Sequence, residues 1–146
     1  MISLKELDYL SFASDLANRF SRDNSTKVGA IILNPNTLHI LSTGYNGFPR
    51  KVLETKDRME RPLKYVYTEH AERNAIYGAA RQGHSLDGSL MICTMFPCHD
   101  CARAIIQSGI MRIISYKPNN ERWAESNGHS LTMFNEAGII VDLVGI

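Results

Sequence analysis

The sequence turns on Thr68-Glu69-His70-Ala71-Glu72-Arg73-Asn74-Ala75-Ile76, read together with Phe96-Pro97-Cys98-His99-Asp100-Cys101 further along the chain. The pair supplies one His, two Cys and one Glu, in the order His-x-Glu … Pro-Cys-x-x-Cys. His and Cys are borderline-soft donors that suit Zn²⁺, and three protein ligands leave a fourth coordination position for water, the mark of a catalytic site. Glu72, two residues after the candidate ligand His70, has the place of a general acid/base beside that water. A Cys-x-x-Cys pair alone also reads as redox-active or structural. A structural zinc, however, wants a fourth protein ligand. His99 lies next to Cys98 inside the same loop and is badly placed to share its tetrahedron. Cys93 falls mid-strand and reads as core, while His39, His84 and His129 read as surface residues.

Outward from these motifs, the periodicity predicts the order αββαβαβαβ. Apolar residues at helical spacing run from Leu4 to Phe20, with Ser3 and Glu6 placed as a capping box. Val28–Leu33 and Leu38–Gly44 read as strands joined by an Asn34–Thr37 turn. The motif helix runs from His70 to Gln82, stopped by Gly83. Ser89–Thr94 is a strand, and Pro97 precedes a helix over His99–Ser108. Arg112–Tyr116 is a strand, Asn120–Ala137 a helix and Ile139–Val144 the last strand. Residues 51–67 show no period and read as a surface excursion. Strands joined through helices pair in parallel by right-handed crossovers. The expected architecture is therefore α/β, three layers deep (α/β/α), with a mixed five-stranded sheet whose last strands are parallel.

The chain has 146 residues, 44% hydrophobic and 21% charged, which suits one globular domain over 1–146. The formal net charge of +1 gives no bulk field for nucleic acid or membrane surfaces. No apolar run has the length of a membrane span. The start, Met1-Ile2-Ser3-Leu4-Lys5-Glu6, lacks the apolar core of a signal peptide. Three cysteines with one Cys-x-x-Cys argue against a disulfide framework and for a reducing, cytoplasmic setting.

Both motif halves open helices, where backbone N–H groups stabilise thiolates. Zn²⁺ held there acidifies water, and Glu72 takes up the proton and hands it on to a ring nitrogen and then to a leaving amine. That pattern, with Glu outside the coordination sphere, marks the zinc deaminases of nucleobases.

At this point the chain resembles the cytidine and deoxycytidylate deaminases, most closely the deoxycytidylate (dCMP) deaminases, over about Phe12 to Val144. Beyond the zinc motifs, the resemblance includes Ser21-Arg22-Asp23-Asn24-Ser25-Thr26-Lys27-Val28-Gly29-Ala30 and Gly44-Tyr45-Asn46-Gly47-Phe48-Pro49-Arg50. It implies a cytidine-deaminase-like fold and conversion of dCMP to dUMP and ammonia, supplying dTTP synthesis. It also implies a homohexamer activated by dCTP and inhibited by dTTP, with Mg²⁺ accompanying the triphosphate. Gly44, Tyr45, Asn46 and Gly47 are then the allosteric nucleotide loop, with Asn46 also near the substrate sugar. Ala71 and Pro97, beside the metal ligands, are assigned to the substrate pocket.

Read from their own chemistry, Arg22, Asn24, Thr26 and Lys27 crowd one loop with the cations and amides that a 5′-phosphate needs. A solvated loop is the alternative. Tyr116, ending a strand, could stack on a base or simply be half-buried. Residues 51–69 carry no extra Cys or His for the second zinc of some relatives, so one zinc per chain is expected. Arg73 departs from the Met or Leu common at that place. Two other readings stay open: a deaminase of another substrate (free cytidine, guanine, a pterin or riboflavin precursor, tRNA adenosine), and a non-catalytic zinc-stabilised nucleotide-binding module.

Overall fold

The computed structural model describes residues 1–145. Its elements are α1 (Leu4–Phe20), β1 (Gly29–Leu33), β2 (Ile40–Tyr45), α2 (Lys64–Tyr67), α3 (Ala71–Gln82), β3 (Leu90–Cys93), α4 (His99–Gln107), β4 (Arg112–Tyr116), α5 (Ala124–Glu136) and β5 (Ile140–Val144). A single 3₁₀ turn, Glu121–Trp123, leads into α5. The predicted order is met with one addition. The stretch read as a surface excursion contains α2, whose four residues are too few to show a period.

One mixed sheet has the order β2-β1-β3-β4-β5. β1 is antiparallel to both β2 and β3, while β3, β4 and β5 are parallel. Every residue of β1 and β3 is buried, as expected of strands covered on both faces. Alternate side chains divide between two cores. Ile31, Leu33, Leu90, Ile92 and Ile114 meet Leu10 and Ala13 of α1. Ala30, Ile32, Met91, Cys93 and Ile113 meet Ala71, Ala75 and Ala79 of α3, Ala102 and Ile105 of α4, and Phe134 of α5. The three layers are thus α1, the sheet, and α3 with α4 and α5.

Local chemistry fixes the joints. Ser3 and Glu6 form the predicted capping box at the start of α1. Glu6 also accepts from Arg112 Nη1 at 2.6 Å, and Arg112 Nε donates to Asp142 at 2.8 Å, so α1, β4 and β5 share one charged bridge. Two glycines let helices touch the sheet. A Cβ at Gly29 would lie 2.0 Å from the Ala13 carbonyl oxygen of α1. One at Gly44 would lie 2.3 Å from the Ala71 oxygen and 2.5 Å from the Ala75 nitrogen of α3. No described helix is long and apolar enough to cross a membrane.

The strand directions decide where chemistry gathers. Because β1 runs against β2 and β3, its start lies at the sheet edge where β2 and β3 end. That edge brings Thr26 and Val28, Asn46, and the Met95–Cys98 segment into one region, outside the carboxyl ends of strands.

Candidate active site

His70 is the N-cap of α3 and Cys98 the N-cap of α4, both with extended backbone. Cys101 follows in the first turn of α4. The Nδ1 of His70 lies 3.5 Å from each sulfur. The three donor atoms all fall within 4.8 Å of one another. Tetrahedral zinc with ligand bonds of about 2.0 Å to nitrogen and 2.3 Å to sulfur needs an N···S separation of about 3.5 Å. The donor set therefore fits zinc in both chemistry and spacing. No other described group of three or more such side chains has this spacing. Cys93 is fully buried in the sheet and stands apart from the cluster. His39, His84 and His129 are exposed, as read from the sequence. His99 is turned to α5 instead: its backbone N–H donates to Ser126 Oγ at 2.9 Å, and its Nδ1 lies 2.7 Å from the same oxygen.

Cys101 hydrogen-bonds to Cys98, and with help from His70 and the Cys101 backbone N–H this overcomes burial and lowers the Cys98 thiol to about 4. The same bond, together with burial, pushes Cys101 well up. A cation bound between the two sulfurs takes both as thiolates. The hydrogen bond to Cys98 also raises His70.

Glu72 occupies the first turn of α3 and is 4% exposed. Burial raises its pKa, partly offset by His70. Arg73 joins the two helix starts, with Nε 2.6 Å from Glu69 and Nη1 3.9 Å from Asp100. Glu69 in turn accepts from the His70 N–H at 3.0 Å and pairs its backbone with Gly47. The residue whose role the sequence left unassigned thus braces the ligand loops from outside.

Above this floor lies a cavity of about 430 Å³. Thr26, Asn46, His70, Ala71, Glu72 and Cys98 line it, all of them singled out in the sequence. Asn46 is 6% exposed and largely occupied by its own chain. Its Oδ1 accepts from Ser21 Oγ and the Val28 N–H, and its Nδ2 donates to the Thr26 carbonyl. A second cavity of about 110 Å³ is lined by Arg22, Tyr45, Asn46 and Gly47 among others. Asp23, Asn46, Lys64 and Thr68 line both cavities.

The remaining candidates lie elsewhere. Gly44 packs against α3. Asn24, Lys27, Pro97 and Tyr116 line neither cavity. The Lys27 ammonium donates to the Ser21 carbonyl at 2.8 Å. Tyr116 packs into the core beneath α1, on the opposite face of the sheet, because strand side chains alternate. Sequence reading missed Arg61, Lys64, Tyr65, Asn120, Arg122 and Trp123, which complete the wall of the larger cavity. Arg61, Lys64 and Tyr65 come from a stretch without a hydrophobic period, and Asn120, Arg122 and Trp123 from the start of the stretch read as the last helix, which is instead a cap and a 3₁₀ turn. The one available signal was compositional, since Trp123 is the sole tryptophan.

A family model described as the cytidine and deoxycytidylate deaminase zinc-binding region matches residues 4–117. The chain belongs to this family. It is 40% identical over 131 residues to an uncharacterized deaminase of Aliivibrio fischeri, covering 88% of this chain and 86% of that one. Human deoxycytidylate deaminase is 34% identical over 138 residues, covering 90% of this chain and 75% of the human protein. Among solved structures, the dCMP deaminase of cyanophage S-TIM5, crystallised with dCMP and dUMP, superposes with a TM-score of 0.80. The match has 27% identity and covers 99% of each chain. The clustered His70, Cys98 and Cys101 donors, the mixed sheet with parallel β3, β4 and β5, and membership of a zinc-binding deaminase family thus agree with the reading of the two motifs.

Proposed function

We propose that this family member hydrolyses dCMP to dUMP and ammonia, with His70, Cys98 and Cys101 as zinc ligands and Glu72 as the proton carrier. The observation that carries the reading is a buried carboxyl beside the three-donor set on the floor of a nucleotide-sized cavity. Its support is the likeness, over 99% of both chains, to a deaminase crystallised with dCMP and dUMP.

Zinc supplies Lewis acidity that turns water into a nucleophile near neutral pH. The chain's own side chains do the rest. Glu72, made more basic by burial, accepts the proton of the attacking water and delivers it to ring N3 as the C4–O bond forms. It then takes the proton of the new C4 hydroxyl and carries it to the exocyclic amine as the C4–N bond breaks and the C4 carbonyl forms. One water is consumed and one ammonia released. Val28, Ala71, Met95 and Phe96 give the cavity apolar walls that exclude bulk water from the transfer. Asn46 keeps one Nδ2 hydrogen with no intramolecular acceptor among the described residues, available to a sugar hydroxyl.

The same reading extends to regulation, supported by family membership alone. The dUMP supplies dTTP synthesis in the cytoplasm. A homohexamer binds dCTP with Mg²⁺ as activator and dTTP as inhibitor, with Tyr45, Asn46 and Gly47 facing the effector.

The test is ammonia release from dCMP by zinc-loaded protein, with and without dCTP and Mg²⁺. Absence of turnover in both conditions sinks the proposal. Glu72→Ala is expected to retain zinc and lose about 10⁴-fold in kcat; high residual turnover would show the proton carrier to be another group.

A further inference from the structure

We propose that Arg61 and Arg122, which line the mouth of the larger cavity with Tyr65, form the anchor for the 5′-phosphate of a nucleoside monophosphate. The inference rests on the nucleotide reading above and names the part of the chain that selects a nucleotide over a nucleoside.

The cavity is graded from floor to mouth. Glu72 and Cys98 are nearly closed to solvent, whereas Arg61, Tyr65 and Arg122 are exposed. A ligand whose reacting ring sits at the floor therefore extends its other end toward these cations. Three Lys or Arg side chains line the cavity: Arg61, Lys64 and Arg122. Lys64 is already committed. Its Nζ lies 3.2 Å from both Asp23 oxygens and 2.8 Å from Ser25 Oγ, and the residue is 8% exposed. The two arginines have no carboxylate partner among the described residues.

Arg122 is held in a fixed orientation. Its Nη2 donates to the Tyr65 hydroxyl at 2.8 Å. Its guanidinium carbon lies 5.7 Å from the Tyr65 ring centre and 5.4 Å from that of Trp123. Aromatic faces on a guanidinium fix its plane and leave its N–H edge for an anion. Arg61 lines the same mouth, and the Arg122 and Arg61 charges together more than offset desolvation and lower the Tyr65 phenol. Two uncompensated guanidiniums at one cavity mouth repel each other. A phosphate dianion between them removes that repulsion and accepts paired charge-assisted bonds.

The loop cations singled out in the sequence are otherwise engaged. Arg22 lies 3.8 Å from Glu54 and faces the smaller cavity, and Lys27 is tied to the Ser21 carbonyl.

The test is titration calorimetry of dCMP and of deoxycytidine onto zinc-loaded wild type, R61Q, R122Q, the double variant and R22Q, with kcat/KM for both ligands measured in parallel. Wild type is expected to bind dCMP far more tightly than deoxycytidine. Each single cavity variant should lose about 30-fold of that ratio, the double variant more, with the loss in KM rather than kcat and zinc content intact. R22Q should keep the ratio. The inference is overturned if wild type does not discriminate between the two ligands. It is equally overturned if R61Q and R122Q, folded and zinc-loaded, keep the ratio, or if R22Q is the variant that loses it. Tight dCMP binding without turnover would defeat the deaminase reading and leave the anchor still measurable in the binding ratios.

Discussion

Asp23 shows how one side chain organises a loop. It accepts hydrogen bonds from the Ser25 and Thr26 N–H groups and pairs with the buried Lys64. Burial works against its ionised form, but these donors outweigh it and hold the carboxyl below its usual range. A depressed folded-state pKa contributes stability that is complete above the unfolded value near 3.9 and fades as pH falls through the folded one. Asp23→Asn should therefore cost about 3 kcal/mol at pH 7, because it strands Lys64. The gap between wild type and variant in urea titrations should close as pH drops below about 4; a gap independent of pH would show that the carboxylate is not its source. Asn46→Ala, which removes three hydrogen bonds at the same loop, should cost about 2 kcal/mol by the same measurement.

At this scale, His70, Glu72, Cys98 and Cys101 were legible because metal chemistry restricts residue type and spacing tightly. Lys64, Arg61 and Arg122 were not. An arginine in an irregular segment looks the same in sequence whether it faces a cavity or bulk solvent.

Among the elements, helix–sheet contact is set by residues that have no side chain. Gly44, read from the sequence as part of the effector-nucleotide loop, packs against α3. Adding a methyl there pushes the helix that carries His70 and Glu72. Gly44→Ala should destabilise the fold by about 3 kcal/mol and weaken zinc retention, read by thermal melting and metal analysis together. Gly47→Ala meets nothing within 4 Å and should change stability by less than about 0.5 kcal/mol. Equal effects of the two would contradict the close approach of α3. Strands and long helices were readable from period alone, and so was the Ser3–Glu6 cap. The α2 turn was not, because it is fixed by a tertiary ion pair between Lys64 and Asp23 rather than by an apolar stripe. Nor was the break before α5, where Asn120 caps a 3₁₀ turn.

For the molecule as a whole, the proposed zinc ligands His70, Cys98 and Cys101 would tie the start of α3 to the start of α4. Their spacing already matches tetrahedral ligation, so the metal adds its binding energy to folding instead of reshaping the chain. Chelation should lower the melting temperature in proportion to the zinc removed, and re-addition should restore both stability and turnover; a melting temperature indifferent to chelator would place the metal outside the folding equilibrium. The five-stranded architecture and its parallel half followed from element order and crossover handedness. What order alone could not supply was which loops meet at the sheet edge, because that depends on side-chain pairs such as Arg122 with Tyr65, distant in sequence.

The two cavities have a partition in common, built from Asp23, Asn46, Lys64 and Thr68. A molecule in either chamber leans on the same four side chains. Thermodynamic linkage then imposes a symmetry: any occupant of the smaller chamber that shifts this partition and alters affinity in the larger one by some factor must have its own affinity altered by that factor when the larger chamber fills. Communication between the chambers thus requires no travelling conformational wave, only a wall thin enough to be felt from both sides.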